Sequence, residues 1–238
     1  MTSSAGDSGR VGRGIAVGDA LLLADVGNSR IKLALLHQGA GRTDEQALGL
    51  PVITHRQDLD SHSFRPEALE RWLLAAAPGP AVILVASVYD GAAARVEAAV
   101  AEISATRHRS IRQRRISHAD LPLEVLLPEP HRVGIDRLAG AAACRLVRPR
   151  GVAAVLIDCG TAATVDLISA EGAFLGGAIL PGPALMARAL EEGTSRLPAV
   201  TALERSPPPA MPGRSTQEAI AVGIGYGIRG AIARLEAE

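Results

Sequence analysis

Ala20–Leu36 reads ALLLADVGNSRIKLALL, and this stretch decides the fold. An apolar run, Ala20 to Ala24, stops at Asp25-Val26-Gly27-Asn28. A second run, Ile31 to Leu36, resumes it, and Gln38-Gly39 supplies a turn. The pattern predicts a β-hairpin with a polar, glycine-containing loop at its tip. The same pattern recurs later. Val152 to Ile157 is apolar, Asp158-Cys159-Gly160-Thr161 interrupts it, Val165 to Ser169 continues it and Glu171-Gly172 turns it. Asp-x-Gly is a common turn sequence, so one such loop could arise by chance. Apolar strands flank both copies, however, and each copy opens a block of strands and helices. Duplication explains this better than chance. The implied fold is α/β, with two similar lobes and a cleft between them.

The remaining elements follow the same logic. Val52 to Thr54 reads as a third strand. Pro66 starts a helix to about Ala77, with Trp72 and Leu73 on its apolar face and Pro78-Gly79-Pro80 ending it. Ala81 to Ser87 is a continuous apolar run of strand length, as expected of a buried parallel strand. Helices are expected over 92–103, 135–146, 183–192 and from Gln217 onward. Val152–Ile157 reads as another buried strand and Ala173–Leu180 as the third of its set. Residues 121–132 and 201–213 are Pro-rich loops.

The chain has 238 residues, 47% of them hydrophobic, which is enough for a sizeable core. Its formal net charge is zero, which argues against a whole-chain field for nucleic acid or membrane. Cys144 and Cys159 make neither a disulfide framework nor a metal site, so a reducing cytoplasm is expected. No apolar run approaches the ~20 residues of a membrane helix. Residues 1–19 lack the apolar stretch of a secretory signal and read as a disordered tail. Lys32 is the one lysine beside twenty-four arginines.

Four segments carry chemistry. In Asp25-Val26-Gly27-Asn28-Ser29, glycine lets backbone N–H groups approach phosphate oxygens, and Asn28 and Ser29 add neutral donors. Asp25 suits an outer, water-mediated ligand of Mg²⁺, which keeps several waters and takes few carboxylates. Lys32 lies beyond the loop and reads equally as a phosphate-binding charge or as an exposed strand residue. Asp158-Cys159-Gly160-Thr161-Ala162-Ala163-Thr164 adds the small hydroxyls of Thr161 and Thr164. Two such loops facing each other would clamp a polyphosphate, and phosphoryl transfer is mainly positioning plus charge stabilisation. In Val133-Gly134-Ile135-Asp136-Arg137, Asp136 reads either as a first-turn carboxylate favoured by the helix dipole or as a base for an attacking hydroxyl. Arg137 beside it would bind an anion. Gly176-Gly177 in Gly176–Gly182 signals close approach by backbone or ligand. Thr194 reads, at its plainest, as a helix-terminus hydroxyl.

In order and spacing, these segments resemble the signatures of type III pantothenate kinases. The resemblance covers roughly 20–232, with weaker matches at Val85-Ala86-Ser87-Val88 and Gly213-Arg214-Ser215-Thr216. It implies two ribonuclease-H-like lobes of the acetate/sugar kinase, chaperone and actin superfamily, over 20–132 and 133–238. It implies ATP-dependent phosphorylation of pantothenate to 4′-phosphopantothenate, the first step of coenzyme A synthesis. It also implies Mg²⁺, a monovalent cation (K⁺ or NH₄⁺) and a homodimer. Position by position, it makes Asp136 the general base and places Gly134 and Arg137 on pantothenate. Thr194 would line the pantothenate pocket at the dimer interface. Asp25, Gly27, Asn28 and Ser29 become phosphate and Mg²⁺ residues, Thr161 lies near phosphate, and Asp158 is assigned the monovalent cation. The chain departs from the family in three places. Ser29 stands where threonine is commoner, and Leu127 where many members have tyrosine. Glu238 comes before the usual strand and Gly-Gly turn beside the adenosine, so the second lobe reads as truncated.

A rival reading is a non-catalytic relative acting as an accessory transcriptional activator. Its nucleic-acid patch would be Arg107, Arg109, Arg112, Arg114 and Arg115. No aromatic residues interleave these arginines, and such a run more often forms a solvated strand face.

Overall fold

The computed structural model describes residues 19–37, 51–201 and 210–238. Nearly all of the expected tail, the Gln38-Gly39 turn and much of the 201–213 loop lie outside those residues. The chain divides into two compact units, one containing residues up to Leu123 plus Glu129–Val147, the other Glu124–Pro128 plus Arg148–Glu238.

The first unit is built on a five-stranded sheet in the order β3-β2-β1-β4-β5. Strands β1 (Ala20–Val26) and β2 (Arg30–His37) form the expected hairpin, with Asp25 opposite Lys32 and Val26 opposite Ile31. Strand β3 (Val52–Asp60) adds antiparallel to β2. It is longer than Val52–Thr54, because Thr54–Asp60 is polar and forms an exposed edge with no apolar run to mark it. Strands β4 (Ala81–Ser87) and β5 (Ile111–Arg115) extend the sheet in parallel. Helices α1 (Pro66–Ala76) and α2 (Asp90–Thr106) cover one face. Pro66 opens α1, and Leu69, Trp72, Leu73 and Ala76 recur at helical spacing along its buried stripe. They meet Leu22, Val26, Ile31, Leu33, Ile83 and Val85 of the sheet and Val96 and Val100 of α2. Each fully buried aliphatic side chain contributes about 1.5–3 kcal/mol.

Helix α3 (Ile135–Val147) belongs to this first unit, not to the lobe expected to begin at residue 133. It packs on β4, and a Cβ on Gly134 would lie 3.5 Å from the Val88 side chain. The neighbouring segment Glu124–Pro128 goes the other way. Phe174 N–H donates to Glu124 O and Leu126 N–H to Phe174 O, both within 2.9 Å. The stretch 121–132, which reads as one Pro-broken loop, is thus shared between the units.

The second unit has a three-stranded antiparallel sheet, β6 (Ala154–Cys159), β7 (Ala162–Ile168) and β8 (Phe174–Pro181). Helices α4 (Pro183–Glu192) and α5 (Thr216–Glu236) pack together through Ala187, Ile220 and Ile224. Strand β6 is not the buried strand its composition suggests. Among the described residues it pairs only with β7, leaving Val155 and Ile157 exposed.

Candidate functional site

The first loop is a tight hairpin turn. Gly27 N–H donates to Arg30 O at 2.9 Å, and no residue from Gly27 to Arg30 has a left-handed φ. A Cβ on Gly27 would sit 3.2 Å from Arg30 O, so this position favours glycine for closeness. Asp25 and Lys32 are register partners, and Nζ lies 3.2 Å from Oδ2 with both side chains about half exposed. The lysine that read equally as phosphate ligand or exposed strand residue therefore stands beside the strand-end carboxylate.

The Gly134–Asp136 turn lies at the same end of this sheet. Val26 O accepts from Val88 N–H at 3.1 Å and from Ser87 Oγ at 3.4 Å, which ties the end of β4 to the end of β1. Gly134 packs next to Val88, so the start of α3 is anchored at the strand ends that carry Asp25 and the first loop. Asp136 is exposed, in the first turn of α3, and its Oδ1 accepts from Arg137 N–H at 2.8 Å. That Oδ1 would lie 2.5 Å from a Cβ at position 134. Gly134 is thus the gap into which the Asp136 carboxylate folds.

In the second unit, Gly160 N–H donates to Ala162 O, and Gly182 N–H to Thr161 O, both at 2.9 Å. Gly182 is the N-cap of α4. Asp158 is exposed and opposite Thr164 in register. Partial burial, and then the Asp158 charge, push the Cys159 thiol up, so it stays protonated at neutral pH and is a poor nucleophile. The Gly176-Gly177 pair serves backbone packing. Gly176 has φ +103°, and a Cβ on Gly177 would lie 2.1 Å from Val165 O. Thr194 follows α4. Its Oγ1 donates to Leu190 O at 2.7 Å and accepts from Leu197 N–H at 3.3 Å, the plain helix-terminus role. The weaker motif at Gly213–Thr216 caps α5: Ser215 Oγ accepts from Glu218 N–H, and Glu218 Oε2 from Arg214 N–H.

The arginine run is matched by acids or carbonyls. Arg107 pairs with Glu70, Arg112 with Asp19, Arg114 with Asp120, and Arg115 with Asp90 and Glu97. Arg109 donates to Gly79 O. Two residues that hold the first loop, Ser61 and Arg95, carry no motif in the sequence, whereas Ser87 lies in the weaker match Val85–Val88. The polar cluster Asp60-Ser61-His62-Ser63 directly before an aromatic residue was the available signal.

Among the described residues, no three His, Cys, Asp or Glu gather as a metal cage. No described helix is long and apolar enough to cross a membrane.

Solved structures with a weak likeness include a Ppx/GppA family member from Aquifex aeolicus. It is 12% identical at a TM-score of 0.37, over 71% of this chain and 54% of that one. YeaZ from Pseudomonas aeruginosa is 15% identical at 0.32, over 89% and 95%. Both likenesses are weak. The sequence comparisons are decisive. The type III pantothenate kinase of Rhodopirellula baltica is 40% identical over 155 residues, 64% of this chain and 55% of the relative. That of Halorhodospira halophila is 44% identical over 109 residues, 45% of this chain and 40% of the relative. That of Thermus thermophilus is 31% identical over 223 residues, 92% of this chain and 82% of the relative. The chain thus spans about half the length of the first two and most of the third. The type III pantothenate kinase family profile matches residues 21–238, and the chain, with its mixed α/β fold, belongs to that family.

Proposed function

We propose that this chain phosphorylates pantothenate with ATP to give 4′-phosphopantothenate, the entry step of coenzyme A synthesis. The observation that carries the reading is the common anchoring of Asp136 and the first loop. Gly134 packs on Val88, and Val88 is bonded to Val26, beside Asp25 and Gly27. A base and a phosphate-approachable loop are thus held at one end of one sheet. Asp136 accepts the proton of the pantothenate hydroxyl as it attacks the γ-phosphorus, a role worth about 10²–10⁴-fold in rate. Arg137 and Gly134 hold pantothenate, and Thr194 lines its pocket. Gly27, Asn28, Ser29, Lys32 and Thr161 bind the ATP phosphates.

Asp25, half exposed and paired with Lys32, offers a single carboxylate, which fits Mg²⁺ that arrives with the nucleotide and keeps most of its waters. Asp25 would hold Mg²⁺ through water, and the exposed Asp158 carboxylate would hold K⁺ or NH₄⁺. When bound, Mg²⁺ neutralises charge on the phosphates. The same reading carries a homodimer in the cytoplasm. It is tested by coupled ADP release with pantothenate, ATP and Mg²⁺, with and without K⁺. Pantothenate-dependent, K⁺-stimulated turnover supports it. ADP release that ignores pantothenate overturns it.

The accessory-activator reading loses its main support, because the run offered as a nucleic-acid patch is matched within the protein. Salt-dependent DNA binding without turnover would revive it.

A further inference from the structure

Ser61 follows the last residue of β3 and is fully buried, although serine is a polar residue that usually stays at the surface. Its burial is accounted for by two bonds to the first loop. Ser61 Oγ donates to Gly27 O at 2.7 Å, and Ser61 N–H donates to Ser29 O at 3.1 Å. The serine is itself held from behind. The Arg95 guanidinium of α2 donates to Ser61 O and lies 5.7 Å over the Phe64 ring. Asp60 shapes the turn, its Oδ1 accepting from His62 N–H, Ser63 N–H and Ser63 Oγ within 2.9 Å.

Those two bonds orient peptide planes. In a trans peptide the C=O and the following N–H point in opposite directions within one plane. The bond to Gly27 O therefore turns the Asn28 N–H away from Ser61. The bond to Ser29 O fixes the Ser29–Arg30 plane in the same way. The second unit repeats half of the device. Gly182, the residue after β8, donates its N–H to Thr161 O, the last loop carbonyl before β7. There the side-chain bond is missing and a Cβ would clash with Gly160 O.

We infer that Ser61 is a positioning residue for nucleotide binding, setting the direction in which the first loop presents its backbone N–H groups to phosphate. Arg95 backs it. The inference rests on the reading above that this loop meets the ATP phosphates.

The test compares Ser61→Ala, which removes the donor, with Ser61→Thr, which keeps it, in steady-state kinetics and in ATP titration calorimetry. Ser61→Ala should raise the ATP KM about tenfold, the scale of one orphaned buried acceptor, with pantothenate KM little changed. Ser61→Thr should return the ATP KM to near wild type. If the alanine variant does not fold, Ser61→Cys, a weaker donor of similar size, should give an intermediate ATP KM. An unchanged ATP KM in Ser61→Ala overturns the inference, as does a parallel rise in both KM values. If wild type binds ATP but does not turn over pantothenate, the functional reading fails alone. The calorimetry then still decides on Ser61, with weaker ATP binding expected for Ser61→Ala. If wild type does not bind ATP, both fail.

Discussion

The two hairpin loops share a backbone plan and differ in what holds it. In the first unit a buried serine clamps two loop carbonyls, using Oγ for Gly27 and N–H for Ser29. In the second, Gly182 makes only the backbone bond, to Thr161 O, and sits so close that a Cβ would lie 2.1 Å from Gly160 O. The partner across from the aspartate differs as well: Lys32 faces Asp25, whereas Thr164 faces Asp158. In both units the residue after the third strand of the hairpin sheet holds the last loop carbonyl, while the turns differ in length and the side chains differ. The first loop sets a lysine against its aspartate and has a side-chain clamp, and the second, whose aspartate faces a threonine, is a tighter turn at a helix N-terminus.

The largest expected effect tests that tightness. Gly182→Ala forces backbone apart and should cost about 3 kcal/mol in urea unfolding. An unchanged midpoint would mean the second loop has slack, and the contrast would fail. Lys32→Met tests the charge. It should change stability by less than about 1 kcal/mol, since the Asp25 pair is exposed, yet raise the ATP KM roughly tenfold at low salt. Equal KM values would return Lys32 to the status of a surface residue. Gly27→Ala meets Arg30 O at 3.2 Å, a far milder contact than at Gly182. It should cost about 1 kcal/mol or less, and a loss matching Gly182→Ala would erase the distinction.

The smallest effect concerns acid. Bonds from Ser63 and His62 hold the Asp60 carboxyl below its ordinary value, the Ser63 hydroxyl contributing most. A carboxyl depressed in the folded state stabilises above its unfolded value, near ~3.9, and that stability disappears as pH falls through the folded value. Asp60→Asn should therefore lower the unfolding midpoint slightly at neutral pH and become indistinguishable from wild type near ~pH 2. A constant difference across that range would contradict the role of Asp60 in the turn that presents Ser61.

The hairpins were legible because apolar runs flank Asp-x-Gly in both copies, and helices α1 and α4 because Pro66 and Pro183 mark their starts. What escaped has physical reasons. Strand β3 is a polar edge, so Thr54–Asp60 carries no hydrophobic signal. Strand β6 has an interior composition but is paired on one side only among the described residues. The exchange of Glu124–Pro128 and α3 between units depends on long-range contacts at Phe174 and Val88, which no local pattern encodes. At the candidate site, the loops and Gly134–Arg137 were visible as motifs. Gly134 proved to make room for the Asp136 carboxylate, a relation visible only in three dimensions. For Ser61 the sequence offered only the polar cluster Asp60–Ser63 before Phe64, and its role depends on two bonds to a loop more than thirty residues away.

In the proposed mechanism Asp136 is the base for phosphoryl transfer to pantothenate. Mass-spectrometric quantification of 4′-phosphopantothenate after incubation with ATP, Mg²⁺ and K⁺ tests it most directly, comparing wild type with Asp136→Asn. Product is expected from wild type and a rate roughly 10²–10⁴-fold lower from the variant, with its unfolding midpoint unchanged. Equal product from both, or none from wild type, would contradict it.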